Sequence, residues 1–193
     1  IKYFLIIKMS YGSLELIIGP MYAGKSTELI KKIKMYEILE KKIIIVNHVL
    51  NNRYGTKGIS THDQTKCDNS INIEKLSELE NYYFDIFVDA EIIIIEELQF
   101  FYDAFTKITE WLDKYDKKFI AAGLISDYEK KPFGDVLSLI PHAEEIIKLS
   151  ALCKKCKDGT KACFTKRTVN NDNKIVVGSN ECYEAVCRKH YLE

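Results

Sequence analysis

Residues 19–26 read Gly-Pro-Met-Tyr-Ala-Gly-Lys-Ser and fit the phosphate-binding pattern G-x-x-x-x-G-K-[ST] at every position. An apolar stretch at 14–18 precedes the pattern as an expected buried strand, and apolar residues at helical spacing over 27–41 follow it. In this context backbone N–H groups and a helix N-terminus surround a phosphate, while a lysine neutralises its charge. The pattern therefore predicts a nucleotide-binding α/β fold, and the alternative is a glycine-rich turn that matches by accident. The expected ATP and phosphate contacts are Gly19, Pro20, Met21, Tyr22, Ala23, Gly24, Lys25, Ser26 and Thr27.

The rest of the chain up to about residue 150 continues the same pattern. An apolar run at 43–46 completes a strand–helix–strand unit, which implies a parallel sheet. We expect further strands at 92–95, 119–124 and 144–149, helices at 73–82, across 105–112 and at 135–140, and a polar loop over 50–70. Residues 12–150 are thus predicted to form a P-loop NTPase-like domain, with a parallel sheet flanked by helices.

Composition excludes several classes of protein. The chain has 193 residues, with 28 basic and 28 acidic side chains, and this balance argues against a protein that coats nucleic acid. No apolar run reaches the roughly 18 residues that cross a bilayer, so we expect no membrane partner. Residues 1–11 are expected to be a partly disordered N-terminal extension, with the natural start near Met9.

Two glutamates, Glu96 and Glu97, directly follow the four isoleucines of the strand expected at 92–95. In a P-loop protein an acidic residue at the end of a neighbouring strand lies near Mg²⁺, as does the serine of the loop, Ser26. Adjacent residues at a strand end point in different directions, so the second carboxylate would face a substrate hydroxyl. This arrangement favours a kinase over the alternative of a solvated acidic turn.

Five of the six cysteines lie after residue 152. Cys153 and Cys156 form a C-x-x-C pair, and Cys187 and His190 form a C-x-x-H pair, which together supply the four ligands of a structural zinc site. A redox dithiol and plain buried cysteines are the alternatives. Residues 151–193 are predicted to be a small zinc-binding domain, and the protein is expected to be cytoplasmic. The other three cysteines of the chain are not expected to be zinc ligands: Cys67, Cys163 and Cys182.

Together these motifs resemble the type II thymidine kinases, the cellular and poxvirus type, from about Gly12 to Tyr191. The segments that carry the resemblance are 19–29, 52–54, 61–63, 96–101, 131–134, 165–167 and the two cysteine pairs. The resemblance implies transfer of the ATP γ-phosphate to the 5′-hydroxyl of thymidine in nucleotide salvage, with Mg²⁺ as cofactor and structural Zn²⁺. It also implies a homotetramer or homodimer, feedback inhibition by thymidine triphosphate, and no nucleic-acid partner.

The resemblance also assigns roles to individual positions. Glu97 matches the catalytic base, Glu96 matches an acidic residue near the metal, and Arg53 matches an arginine that reaches the phosphates. A lasso-like loop at about 168–186, carried by the zinc domain, would cover the nucleoside. The positions that match the substrate pocket are Met21, Phe100, Leu124, Tyr128, Thr165, Val176, Val177, Gly178 and Tyr183.

The sequence departs from the family pattern at Asn51, Glu96 and Ile125, where the family commonly has Asp. Two other functions compete with a thymidine kinase. One is a zinc-ribbon P-loop ATPase stimulated by nucleic acid, which the lysines around the cysteines would suit. The other is a nucleotide-binding regulatory module without turnover, which the changes at Asn51 and Glu96 would allow.

Overall fold

The computed structural model describes residues 11–51, 58–60, 66–68, 70–169 and 182–193, with the backbone alone for 58–60 and 66–68. Two short 3₁₀ turns lie at Leu98–Phe100 and Ile140–His142. The strands are β1 Ser13–Ile18, β2 Ile43–His48, β3 Gly58–Ser60, β4 Lys66–Asp68, β5 Ser70–Ile73, β6 Ile92–Ile95, β7 Lys118–Gly123, β8 Glu145–Lys148, β9 Ala151–Leu152, β10 Lys161–Ala162, β11 Phe164–Arg167 and β12 Tyr183–Val186. The α-helices are α1 Lys25–Ile38, α2 Glu78–Tyr82, α3 Phe84–Asp89, α4 Ala104–Lys114 and α5 Arg188–Leu192.

The main sheet has the strand order β5-β2-β6-β7-β1-β8, and every neighbouring pair is parallel. Ile18 lies beside Gly123, and Ile95 lies beside Ala121, so β1, β6 and β7 end close to the same level. Parallel strands bring their carboxyl ends to one edge of the sheet, where ligands bind in such folds. The loops that follow β1, β6 and β7 therefore meet there, and the predicted α/β fold with helices on a parallel sheet is confirmed.

Both faces of the sheet are covered at its centre, which explains why β6 and β7 are apolar at nearly every position, whereas the edge strands β5 and β8 are half polar. Along β6, Ile92 and Ile94 pack with α1, whereas Ile93 and Ile95 pack on the other face with Phe87 and with α4. This alternation follows from the two-residue period of a strand. Helix α4 contributes Ala104, Ile108, Trp111 and Leu112 to that second face. Within the described residues, no helix combines the length and apolar character that crossing a membrane would require.

Several expected elements are wrong or incomplete. The polar loop at 50–70 contains the antiparallel pair β3–β4, and the short strand β5 follows it. The helix expected at 73–82 is confined to α2, and α3 was not predicted. The helix expected at 135–140 is a series of turns, because Ser138 N and Ile140 N donate to carbonyls three residues earlier. Helix α1 ends at Ile38, three residues before its expected end.

Residues 151–169 and 182–193, here called the C-terminal segment, build two small antiparallel pairs, β9–β10 and β11–β12, followed by α5. Their buried core is small and consists of Ala151, Cys153, Ala162, Ala185 and Val186. So few apolar side chains stabilise a fold weakly, which is why segments of this size commonly depend on a metal or on a neighbouring domain.

Candidate active site

The phosphate loop joins β1 to α1 and has the backbone that its sequence predicts. Gly24 caps the helix with φ 84° and ψ 22°, a left-handed conformation that glycine adopts without a Cβ penalty. The first α1 hydrogen bond runs from Glu28 N to Gly24 O at 3.0 Å. Lys25 Nζ lies over the loop and donates to Pro20 O at 2.9 Å and to Gly19 O at 3.2 Å. An anion at this loop would meet both the helix N-terminus and the ammonium.

The two glutamates after β6 are buried and point to different neighbouring strands. Glu96 is 4% exposed, and its Oε2 accepts a hydrogen bond from Asn51 Nδ2 at 3.2 Å, on the β2 side. Glu97 is 8% exposed, and its Oε2 accepts a hydrogen bond from Gln99 Nε2 at 2.5 Å, on the β7 side. The expectation of two diverging carboxylates is therefore confirmed, and that of a solvated acidic turn is wrong.

A cluster of apolar side chains, here called the slot cluster, lies between the phosphate loop and the C-terminal segment. Its buried members are Met21, Leu124 and Tyr183, with Tyr22, Tyr128, Phe133 and Cys182 packed against them. Four of these seven residues, namely Met21, Leu124, Tyr128 and Tyr183, are positions that the family resemblance assigned to the substrate pocket. Aromatic and aliphatic walls of this kind suit a flat, planar ligand.

Two further predicted substrate positions join this cluster through direct contacts. Thr165 is buried, and its hydroxyl oxygen accepts a hydrogen bond from Met21 N at 3.0 Å. The Phe100 ring packs edge-on against Phe133, with 5.7 Å between centroids. Phe101, by contrast, is fully buried in the core, so only one phenylalanine of this pair borders the slot cluster.

Arg167 holds two aromatic residues of the slot cluster. Its guanidinium carbon lies 3.7 Å from the Tyr128 ring centroid, and its Nη2 donates to the Tyr183 hydroxyl oxygen at 3.0 Å. A planar cation stacked on a ring while also donating a hydrogen bond fixes both partners. Tyr128 is held further because its carbonyl oxygen accepts a hydrogen bond from the Tyr191 hydroxyl at 2.6 Å.

A buried histidine packs against Phe100, the phenylalanine that borders the slot cluster. His48, at the end of β2, packs its ring against Phe100 and Phe101, at centroid distances of 5.5 and 4.8 Å. Its Nδ1 accepts a hydrogen bond from Leu50 N at 3.0 Å. Burial lowers the pKa of His48, which favours the neutral ring at neutral pH.

The four residues predicted to bind zinc converge. The ligand atoms of Cys153, Cys156, Cys187 and His190 all lie within 4.8 Å of one another. The distances from His190 Nδ1 to the three sulfurs are 3.3 to 3.5 Å, and the Cys156 and Cys187 sulfurs are 3.7 Å apart. A tetrahedral zinc site with its usual bond lengths has edges of about 3.5 to 3.8 Å. The arrangement therefore fits Zn²⁺.

The surroundings of Cys153 favour a thiolate, whereas burial and the neighbouring thiols raise the pKa of Cys156 to about 11. Burial opposes ionisation of Cys153, but backbone N–H groups of Cys187, Cys156 and Lys155 outweigh it and lower the pKa of this thiol to about 6. Cys163 and Cys182 lie outside the cysteine cluster, as expected, whereas the side chain of Cys67 lies outside the described residues.

The C-terminal segment contacts the phosphate loop directly. Tyr22 and Ala23 pack against its small core, which also includes Cys153. The Tyr22 hydroxyl donates to Tyr183 O at 3.2 Å. The phosphate loop and the C-terminal segment therefore share a packing contact and a hydrogen bond.

Some predicted residues lie outside the described residues, namely Arg53, Val176, Val177 and Gly178, together with residues 170–181 of the expected lasso loop. Sequence reasoning gave no role in the substrate site to Gln99, Phe133 or Arg167, although each lies in a segment that carries the family resemblance. The available signals were an amide two residues after an acidic pair and an arginine two residues after Thr165, an expected pocket position.

Comparison with known proteins decides the family. The family model described as thymidine kinase matches residues 12–191. The chain belongs to the thymidine kinase family. The thymidine kinase of vaccinia virus (strain Western Reserve) is 37% identical over 185 residues, which cover 96% of this chain and 99% of that protein. The monkeypox virus and variola virus thymidine kinases are each 36% identical over the same length and shares. The chain is thus a type II thymidine kinase, an enzyme that phosphorylates thymidine with ATP.

Among solved structures, one of Pif1 helicases on forked double-stranded DNA is 15% identical, with a TM-score of 0.36, and covers 71% of this chain and 39% of that one. This likeness is too weak to bear on function.

In this kinase, Lys154 and Lys155 form ion pairs with Glu184 at 3.3 and 3.2 Å. Two of the lysines that suggested a nucleic-acid-binding surface are thus partly neutralised within the chain.

Proposed function

We propose that Glu97 is the general base of the thymidine kinase reaction in this enzyme. As the 5′-hydroxyl oxygen attacks the γ-phosphorus, the Glu97 carboxylate accepts the hydroxyl proton and the bond from the γ-phosphorus to the bridging oxygen breaks, releasing ADP. Lys25 and backbone N–H groups of the phosphate loop, residues 19–27 apart from Pro20 and from Met21, whose N–H donates to Thr165, hold the phosphates throughout. Arg53 contributes a further positive charge.

We propose that Mg²⁺ is held by the Ser26 hydroxyl and the Glu96 carboxylate, since hydroxyl and carboxylate oxygens are the ligands that this ion prefers. When bound, Mg²⁺ supplies positive charge to the phosphate oxygens. Glu96 suits this role because it is buried at the carboxyl edge of the sheet and diverges from Glu97.

One chain of contacts supports the assignment of Glu97 as the general base more than any other observation. Met21 of the phosphate loop packs against Leu124, the Leu124 N–H donates to Gln99, and Gln99 donates to Glu97. The register puts Glu97 two strands from β1, about 10 Å across the sheet. A nucleoside in the slot cluster would therefore lie between the phosphate loop and the proposed base.

We infer that the slot cluster binds thymine, with Tyr128 as its stacking surface and Met21, Phe100, Leu124, Thr165 and Tyr183 around it. Val176, Val177 and Gly178 of the lasso loop would cover the base, and backbone groups there would form hydrogen bonds with the pyrimidine edge. A slot of fixed width excludes purines by size, and unmatched hydrogen bonds exclude other pyrimidines.

The remaining expectations stay proposals. The division into residues 12–150 and 151–193 is supported by the end of the main sheet at β8 and the separate small sheets after it. We propose structural Zn²⁺ at the cysteine cluster, inhibition by thymidine triphosphate, a cytoplasmic enzyme, and a homotetramer or homodimer. Light scattering of the purified protein tests the proposed oligomeric state. Activity measured at increasing concentrations of thymidine triphosphate tests the proposed inhibition.

The direct test is transfer of the labelled ATP γ-phosphate to thymidine by zinc-loaded protein. Glu97→Gln should lower kcat by roughly 100- to 10,000-fold, the usual range for a lost general base. Lys25→Ala should abolish detectable transfer. Matched controls are Glu110→Gln, on the exposed side of α4, and Lys34→Ala, on the exposed side of α1. Both should keep wild-type rates, and an active Glu97→Gln variant would refute the proposed base.

The same assay separates the competing functions. ATP hydrolysis stimulated by DNA or RNA without any nucleoside would favour the zinc-ribbon ATPase. Tight ATP binding without any turnover would favour the regulatory module. The thymidine kinase assignment expects turnover that depends on thymidine and is unchanged by nucleic acid.

A further inference from the structure

We propose that Gln99 is a positioning residue that holds the Glu97 carboxylate for proton transfer, a role that rests on the proposed function of Glu97. Its Nε2 donates to Glu97 Oε2 at 2.5 Å, and its Oε1 accepts a hydrogen bond from Leu124 N at 2.9 Å. The Gln99 residue is only 3% exposed. It therefore ties the proposed base to the end of β7, where the slot cluster begins.

The two partners require an amide at this position. The Glu97 carboxylate needs a donor, whereas the Leu124 N–H needs an acceptor, and a primary amide offers both within one planar group. The amide orientation is fixed by these partners, because a flipped group would face the N–H with its NH₂ and the carboxylate with its oxygen. Methionine, of similar length, would satisfy neither partner, and glutamate would satisfy only Leu124.

The surrounding backbone is shaped to hold Gln99. Gly134 has φ 58°, and a Cβ at this residue would lie 2.4 Å from the Gln99 carbonyl oxygen. A Cβ on Gly123 would lie 3.0 Å from Gln99 Oε1. Both close approaches are possible because these residues are glycines. Gly134 thus packs closely on the Gln99 backbone and Gly123 on its side-chain amide, and close packing of this kind is what a positioning residue needs.

Glu97 itself needs such support. It has φ 55° and ψ 43°, a left-handed conformation that costs a residue with a Cβ about 1 kcal/mol or more. Its flexible side chain would otherwise sample several rotamers, and a displacement of about 1 Å from the reacting atoms lowers a rate roughly 100-fold. The hydrogen bond from Gln99 selects one position of the carboxylate before substrate arrives.

The first test compares Gln99→Met with the wild type. We expect kcat per folded, zinc-loaded molecule to fall roughly 10- to 100-fold, while KM for ATP stays within about twofold. Val136→Ala is the control, since Val136 is fully buried beside Gly123 and has an apolar side chain that cannot form a hydrogen bond with Glu97. A purely structural role predicts that both variants lower the melting temperature and leave kcat per folded molecule unchanged, and that result would overturn the proposal.

The second test asks whether Gln99 acts through Glu97. If it does, Gln99→Met should lower the residual kcat of Glu97→Gln by less than about threefold, because residues that act as one unit are not additive. If Gln99→Met instead lowers the kcat of Glu97→Gln by the same factor as it lowers the kcat of the wild type, the proposal is overturned.

If Gln99→Met does not fold, Gln99→Glu takes its place in both tests, because it keeps the hydrogen bond from Leu124 N. Wild-type activity in Glu97→Gln would instead show that the proposed base is wrong and would remove the basis of the inference.

Discussion

Asn51 Nδ2 donates a hydrogen bond to Glu96 Oε2 at 3.2 Å, so two positions that depart from the family pattern contact each other. The same Nδ2 donates to Asn47 Oδ1 at 2.9 Å. An asparagine can donate to a carboxylate, whereas an aspartate at this position would add a second negative charge beside it. The two changes are therefore compatible with each other, and Asn51 orients the carboxylate proposed to hold Mg²⁺.

The first prediction concerns the charge at residue 51. Asn51→Asp would place two carboxylates side by side, so the variant should melt at a lower temperature than the wild type in EDTA. Added Mg²⁺ should raise its melting temperature more than that of the wild type, because a cation relieves the repulsion. Thermal unfolding with EDTA and across a Mg²⁺ titration measures both effects.

Asn51→Ala is the control for this prediction, since it removes the hydrogen bond without adding charge. It should cost about 1 kcal/mol of unfolding free energy, with or without Mg²⁺. An equal response of all three proteins to Mg²⁺ would contradict this prediction, because it would show that a carboxylate added at residue 51 does not strengthen cation binding.

The second prediction concerns the guanidinium that stacks on Tyr128. Arg167→Lys loses the planar stack and the fixed donor geometry toward Tyr183, so both aromatic residues should become less ordered. We expect KM for thymidine to rise about tenfold, the equivalent of about 1.4 kcal/mol, with KM for ATP little changed. Steady-state kinetics with each substrate varied in turn gives the two values.

Arg188→Lys is the matched control, because the Arg188 guanidinium also stacks on a ring, at 4.9 Å from the Phe164 centroid, but outside the slot cluster. It should leave both KM values unchanged. Equal effects of the two substitutions on KM for thymidine would mean that Arg167 acts only on the stability of the C-terminal segment.

The parts of the fold that could be predicted from sequence are those in which local pattern and tertiary burial agree. A strand that is buried on both faces needs apolar side chains at every position. The run of four isoleucines in β6 therefore identifies a central strand without further information. The zinc ligands could be predicted because each pair lies within one tight turn. Their spacing therefore brings the two ligands of each pair together, whereas contacts between distant segments, such as the hydrogen bond from Lys154 N to Ala185 O, bring the two pairs to each other.

The missed elements depend on distant contacts or imitate another pattern. Strand β5 has four residues and is defined by its pairing with β2, about 25 residues earlier. In α3, the apolar residues Phe84, Ile86 and Val88 alternate as in a strand, yet they are exposed, and Phe87 provides the buried contact. The role inferred for Gln99 likewise arises from a hydrogen bond to Leu124, which no sequence spacing indicates.

The third prediction concerns a buried lysine outside the active site. Lys117 is 8% exposed, and its Nζ donates to the carbonyl oxygens of Val88 and Ala90. Burial lowers the pKa of Lys117 below its ordinary value of 10.5. Between the folded-state pKa and 10.5 the unfolded chain binds more protons, so this lysine's contribution to stability rises with pH across that window.

Urea unfolding of the wild type and Lys117→Met at several pH values tests this sign. The unfolding free energy of the wild type minus that of the variant should increase as the pH approaches 10.5 from below, by at most about 1.4 kcal/mol per pH unit. Lys114→Met is the control, since a hydrogen bond with Tyr115 raises the pKa of Lys114, whose window lies above 10.5. A flat difference for Lys117→Met would contradict the lowered pKa.

The fourth prediction concerns the metal at the cysteine cluster. Cys156→Ser removes one of four ligands, so zinc content should fall from about one ion per chain to near zero. Because Tyr22 and Ala23 of the phosphate loop pack on the core that includes Cys153, loss of the metal should also raise KM for ATP and KM for thymidine. The melting temperature should fall in parallel, since the small core of the C-terminal segment depends on the ion.

Cys163→Ser, at an exposed thiol outside the cluster, should keep the zinc and the wild-type kinetics. A zinc-free Cys156→Ser protein with unchanged KM values would show that the phosphate loop folds independently of the metal site.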